Sequence, residues 1–324
     1  MKLFIGVDVG KYTLDVCCNN KIFQVSNDQL GLEKFYLLLQ EEIKNGNEIA
    51  LVICEATGGY EVKLVKFVKE HNLPVLIEHA NKVRNYAKSK GLLAKTDKID
   101  ARLLSEYAEI MKVKPTMLMR SDNEEKLVGL VKRREQLKID RTKEMVRLDK
   151  ELDKSVKKSI KNHIKWLEKE VSTIEELIKE IREKDKDISI KVELLTSIPT
   201  IGDITAYYLI AFLPELGSTN EAKKMAALAG IAPYVRDSGK YQGKRFIHGG
   251  RAALRSALYM AALSGITHYK DLKEFYYRLR NKGKPAKIAL IAVARKLLTV
   301  LNSVMYRRTP WVKEYVPTQN VVLT

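Results

Sequence analysis

The first 26 residues admit few folds. KLFIGVDV (2–9), YTLDVCC (12–18) and KIFQVS (21–26) are short runs rich in β-branched and aromatic residues, separated by Gly10-Lys11 and Asn19-Asn20. Such runs broken by turn residues predict a meander of three antiparallel strands. In the first run, alternation puts Leu3, Ile5, Val7 and Val9 on one face and Gly6, Asp8 and Gly10 on the other. A carboxylate near the middle of a strand is costly unless it is solvated, hydrogen-bonded or metal-bound, so Asp8 is the first candidate for chemistry.

A helical pattern over 30–44, an apolar run over 49–54, a helix over 60–71 and a strand over 75–77, following Pro74, continue the chain. Alternating strands and helices imply a layered α/β sheet, and a meander followed by parallel crossovers describes a ribonuclease-H-like one. Residues 121–193 then turn highly charged, with Leu148, Leu152, Val156, Ile160, Ile164, Leu167, Val171, Ile174, Ile178 and Ile181 recurring every three or four positions, no proline and Gly129 as the one glycine. This is the stripe of long amphipathic helices, either a plain hairpin or a dimerising coiled coil; its successive four-residue steps depart from strict heptads. After Thr196 the chain is apolar, small-residue and mostly helical, and Ile198 to Gly202 enters a helix at Asp203 much as half of a helix-hairpin-helix does. Three regions are expected: an α/β domain over 1–115, a long helical, coiled-coil-like middle over 116–193, and a mostly α C-terminal domain over 194–324.

The 58 Lys and Arg against 40 Asp and Glu give a net +18, which favours a polyanionic partner, nucleic acid before membrane. The excess is not spread evenly: the net charge is 0 over 1–111, +5 over 112–193 and +13 over 194–324. Neutralising phosphates requires such concentration along a track. Cys17, Cys18 and Cys54 lie in apolar surroundings without disulfide or zinc spacing, and no uninterrupted apolar run suggests a membrane span, so a cytoplasmic location is expected.

Three further carboxylates join Asp8 as candidates. Glu55 closes the apolar run ALVICE at a strand end, and Asp97 and Asp100 stand three apart at a helix start, on neighbouring positions of one face. Four converging carboxylates would need a hard cation, normally magnesium, and two ions could serve phosphoryl transfer. Asp97 could instead serve the helix N-terminus, and Asp100 could pair with a Lys or Arg. In VRDSGKYQGKRFIHGGR, Ser238 is flanked by glycines and by Arg236, Lys240, Lys244 and Arg245, candidate phosphate ligands; Tyr234 and Tyr241 are rival nucleophiles or stacking surfaces.

GVDVGKYTLDV, ICEATGGYE and NKVRNYAKSKGLLAKTDKIDARLLSEYA resemble the N-terminal half of the DEDD transposases of the insertion-sequence-one-ten family, which also includes the Piv DNA invertases. LLTSIPTIGDITAYYLIAFL, AALAGIAPY and DSGKYQGKRFIHGGRAALR resemble its C-terminal transposase domain. The resemblance covers nearly the whole chain. It implies a RuvC-like nuclease domain with an acidic, magnesium-binding tetrad on Asp8, Glu55, Asp97 and Asp100, and a nucleophilic serine at Ser238 that joins protein to DNA through a phosphoserine bond. It further implies donor and target DNA, a bridge RNA that pairs with both, and a homodimer that assembles into a tetramer with the tetrad of one protomer facing the serine of another. His248 departs from the basic residue expected before the first glycine of HGGR.

Two other enzymes and one scaffold compete with this reading. A RuvC-like nuclease or resolvase would use metal-activated water and leave Ser238 a phosphate contact. DVG followed by Thr13 resembles the first phosphate loop of actin-like ATPases, but no second loop follows. A non-catalytic RNA-binding scaffold would tolerate loss of Asp8.

Overall fold

The computed structural model describes residues 1–92, 96–115, 120–219, 221–235, 238, 243 and 245–312. The chain forms two compact units, Met1–Met119 and Arg120–Thr324.

In the first unit, β1 (Lys2–Val9), β2 (Thr13–Cys18) and β3 (Lys21–Ser26) make the expected antiparallel meander. Cys18 pairs with Lys21 across a two-residue turn whose Asn19 and Asn20 both have positive φ, 49° and 61°. Asparagine tolerates that left-handed backbone, whose twist matches the flanking strands. Helix α1 (Gln29–Lys44) is capped by Asp28, which accepts the Gly31 N–H at 2.9 Å. Strand β4 (Glu48–Glu55) runs parallel to β1; α2 (Val62–Glu70) then leads to β5 (Val75–Glu78), parallel to β4, giving the order β3-β2-β1-β4-β5. Helices α3 (Ala80–Ser89) and α4 (Asp97–Ile110) follow.

Alternation along β1 divides the core as the sequence requires. Leu3, Ile5, Val7 and Val9 pack with Phe35 and Leu39 of α1 and Leu64 and Phe67 of α2. On the opposite side, Leu51 and Ile53 of β4 pack with Leu103, Leu104 and Tyr107 of α4, and Phe4 lies against them. All three cysteines are free and buried, and burial pushes the thiols of Cys18 and Cys54 up to about 12, which leaves them inert small hydrophobes.

The second unit opens with two long helices, α5 (Asp122–Lys150) and α6 (Lys154–Lys184). A capping box starts α5: Ser121 accepts the Glu124 N–H while Glu124 accepts that of Ser121. The helices pack antiparallel, since Arg134 pairs with Glu175 at 2.6 Å and Arg141 with Glu168 at 2.7 Å. The stripe read as continuous through Leu152 is broken there, and Leu152 is 87% exposed. Local turn chemistry overrides the pattern: Glu151 accepts the N–H groups of Leu152 and Asp153, and Asp153 caps α6 by accepting those of Ser155 and Val156.

Helices α7 (Lys186–Thr196), α8 (Asp203–Phe212), α9 (Ala222–Leu228), α10 (Ala252–His268), α11 (Lys270–Asn281) and α12 (Ala286–Arg307) complete the unit, with a short ribbon of β6 (Pro233–Tyr234) and β7 (Phe246–Ile247) before α10. One core joins Leu127 and Val131 of α5 and Ile178 of α6 to Leu209, Leu258 and Leu297. Helix α12 is long and apolar enough to cross a membrane, with mean hydropathy 1.7, but Val293, Ala294 and Leu301 are fully buried in this core. Helix α8, entered through the SIPTIG turn, is also a core helix, and its Asp203 pairs with Arg182 at 3.1 Å.

Candidate active site

Two carboxylates reach the sheet because a glycine lets a helix lie on it. Ser105 Oγ of α4 donates to the Phe4 carbonyl of β1 at 2.6 Å, and a Cβ on Gly6 would stand 2.0 Å from the Ala101 carbonyl oxygen. One helical turn advances about 5.4 Å and two strand residues about 6.6 Å, so α4 steps antiparallel along β1. The next turn carries Asp97 and Asp100 towards Asp8. Thr96, not Asp97, caps the helix, its Oγ1 accepting the Ile99 N–H. The acidic first turn still favours the helix dipole. Gly6→Ala is therefore expected to cost about 3 kcal/mol, at the upper end for overpacking because the obstacle is backbone. Thermal unfolding checks it, and a melting temperature within about 1 °C of wild type would remove this account of the docking.

Asp8 lies within electrostatic reach of the other candidates. Burial first, then repulsion by Asp100, Asp97, Glu55 and Asp15, raises the Asp8 carboxyl from an ordinary 3.8 to about 6. Asp8, Glu55 and Asp100 are half-buried and Asp97 is exposed. The structure thus brings all four sequence candidates to one charge cluster and adds a fifth that the sequence reading missed. Asp15 stands opposite Asp8 in the β1–β2 register, on the same face, and is 3% exposed. Gln24 Nε2 holds both its oxygens, at 3.2 and 3.0 Å. The strand alternation that singled out Asp8 would have singled out Asp15 in TLDVCC.

Among the described residues, no three His, Cys, Asp or Glu side chains are drawn into a closed group that could hold a metal ion. The donors nevertheless fit a hard divalent cation, being oxygen-only and in mutual repulsion that a cation would relieve.

The loop after Glu55 is locked by residues with no part in the sequence reading. Glu61 Oε2 accepts from Thr57 N at 3.2 Å, Thr57 Oγ1 at 2.7 Å and Gly59 N at 2.8 Å. Burial pushes the Glu61 carboxyl up, but these hydrogen bonds outweigh it and hold it below its usual range. Asn27 ties the two loops together, its Nδ2 donating to the Gly10 carbonyl at 2.9 Å and the Tyr60 carbonyl at 3.2 Å. No local pattern marks a residue that bridges positions so far apart in the chain.

In the second unit, Ser238 is exposed and Arg245 is exposed, while Arg236, Lys240, Tyr241 and Lys244 lie outside the described residues. The base of the serine loop is rigid. A Cβ on Gly250 would stand 2.3 Å from Gly230 N, so AGIAPY and HGGR interlock through bare backbone. Arg251 forks onto Glu215 with two bonds of 2.7 Å, and Arg255 Nη1 donates to the Gly249 carbonyl at 2.7 Å. Tyr234, a rival in the sequence, is 38% exposed with its ring 4.2 Å from that of His248.

Residues 192–277 match the family described as transposase IS116/IS110/IS902, and residues 5–157 match a second family of DEDD, IS110-type proteins described as transposase. The pilin gene-inverting protein of Moraxella lacunata is 33% identical over 319 residues, covering 96% of this chain and 98% of the relative. The protein of that name from Moraxella bovis is 33% identical over 321 residues, with the same coverage of 96% and 98%. An uncharacterized 42 kDa protein of insertion element IS900 from Mycobacterium paratuberculosis is 37% identical over 112 residues, 34% of this chain and 28% of the relative.

Proposed function

The chain belongs to the IS110 family of transposases, and on that premise we propose that it cuts and rejoins DNA strands through a covalent serine intermediate. The observation that carries the reading is the Asp8 carboxyl, held near 6 first by burial and then by the carboxylates around it. The domain over 1–115 is then RuvC-like, and Asp8, Glu55, Asp97 and Asp100 would hold two magnesium ions, which would supply charge stabilisation at the scissile phosphate. Asp15, buried and held by Gln24, stays outside that set.

Ser238 Oγ forms a bond to phosphorus as the bond from phosphorus to the leaving strand's oxygen breaks. The hydroxyl proton goes to solvent and the departing oxygen takes one up. One ester replaces another, so the energy for rejoining is stored and no outside energy source is required. The exposure of Ser238 on a rigidly based loop supports this role, since a nucleophile must reach its phosphate. Strand exchange of this kind serves insertion and inversion alike, and the relatives that span the chain are named for inverting a pilin gene. Arg236, Lys240, Lys244 and Arg245, the basic residues around Ser238, grip phosphates, and the rest of the reading comes from the family resemblance: a bridge RNA selects donor and target DNA, and dimers pair into a tetramer in which one protomer's tetrad faces another's serine.

Incubation with element-end DNA, the RNA encoded beside the element and magnesium tests the reading. A DNA species that stays on the protein in detergent and is released by protease is expected, and chelation of the metal is expected to abolish it. Free cleaved ends without any adduct would overturn the serine chemistry.

A further inference from the structure

Charge is segregated along α6. Residues 154–167 carry five lysines and no Asp or Glu, whereas residues 168–184 carry six Glu against four Lys and Arg. Lys154, Lys158, Lys161 and Lys165 fall three or four positions apart and Lys157 lies beside them one turn after Lys154, so the five form one stripe, about 16 Å long at 1.5 Å per residue. With Asn162 they line a surface crevice of about 430 Å3.

None of the five enters an ion pair among the described residues. The facing helix is different: Arg141 pairs with Glu168, Lys143 with Asp140 and Arg147 with Glu144. A face that needs only solvation interleaves its signs, as the far half of α6 does. Here like charges repel one turn apart, and they sit in the first half of the helix, where cations oppose its dipole. Among the described residues no carboxylate pairs with any of the five, so an external anion with a repeated charge fits the stripe.

We propose that this lysine face of α6 is a second nucleic-acid-binding surface, separate from the basic C-terminal region, that grips the phosphate backbone of duplex DNA. It deepens the recombinase reading and rests on it for the partner. Phosphate contacts of this kind position a duplex without reading its sequence.

The test compares the full chain with a variant carrying Lys154→Gln, Lys158→Gln, Lys161→Gln and Lys165→Gln, all at exposed positions. Gln and Lys have similar helix propensity and the repulsion is removed, so the variant is expected to melt no lower than wild type. Binding to a DNA duplex and to an RNA duplex of the same sequence is followed by fluorescence anisotropy across a salt series. The slope of log affinity against log salt is expected to become shallower by about 2 to 4 for the DNA duplex, at about 0.9 per phosphate lost. A change confined to the RNA duplex would overturn the assignment to DNA. A variant with Lys143→Gln and Arg147→Gln, whose cations are paired internally, is expected to keep the wild-type slope. Unchanged slopes on both duplexes, or a loss confined to phosphatidylserine vesicles, would overturn this surface alone. A wild-type chain that binds neither duplex would overturn the recombinase reading with it.

Discussion

Asp8→Asn is expected to destroy DNA cleavage and, in the same protein without divalent metal, to raise the melting temperature at neutral pH. Both follow from one carboxyl. Asp8 is held near 6 against an ordinary 3.8, so the folded state binds its proton more tightly than the unfolded chain does. Its contribution to stability is then full below about 3.8 and lost as pH rises through about 6. At neutral pH the wild type carries a charged carboxylate that is desolvated by burial and repelled by Asp100, Asp97, Glu55 and Asp15, and asparagine carries no charge. Because the group is only half-buried, solvent screens part of the cost, and a gain of about 1–2 kcal/mol, roughly 2–6 °C, is the expected size.

Cleavage is expected to fall by on the order of 10²–10³-fold or more, the scale of removing one preorganised electrostatic group from a reaction centre. Calorimetry across the acid range checks the first part: the two melting temperatures should converge as the pH is lowered. Magnesium should then stabilise the wild type more than the variant, since a ligand that binds only the folded state raises its stability by mass action. A variant that melts lower at neutral pH would show that Asp8 is not repelled, and one that still cleaves would take it out of the chemistry.

The second large effect is at Ser238. Ser238→Ala is expected to lower the protein–DNA adduct by at least on the order of 10³-fold, as loss of a nucleophile does in enzymes that use one. Folding should be untouched, because the side chain is exposed and exposed substitutions shift stability by about 0.5 kcal/mol or less. Duplex binding is expected to stay within about twofold, since one neutral hydroxyl adds little beside the lysine and arginine contacts to phosphate. Tyr234→Phe is the control, and its adduct should persist. Adduct in the alanine variant, or its loss in the phenylalanine variant, would move the covalent bond away from serine.

Much of the site could be read from the chain, for reasons that differ residue by residue. Asp8 stands out because a strand of period two exposes a carboxylate among glycines on one face. Asp97 and Asp100 stand out because three positions are nearly one helical turn. Asp15 satisfies the same alternation and was missed because nothing in TLDVCC says that its partner across the ladder is Asp8. Leu152 fits a periodic stripe, yet Glu151 and Asp153 make a turn there, since side-chain acceptors for free backbone N–H groups outweigh one apolar contact. Asn27 and Glu61 act on loops and carry no periodic signal.

The sequence by itself determined the meander, the face on which Asp8 lies, the spacing of the acidic pair and the division of charge along the chain. Each depends on backbone periods that extend over a few residues. Only the tertiary structure decided that the acidic turn of α4 comes to Asp8, that Asp15 joins it, and that, among the described residues, the five lysines at the start of α6 have no ion-pair partner while Arg141, Lys143 and Arg147 of α5 do. Those outcomes depend on which distant elements can touch, and here contact is set by the space a missing side chain leaves at Gly6, where a helix about 95 residues further along settles onto the first strand.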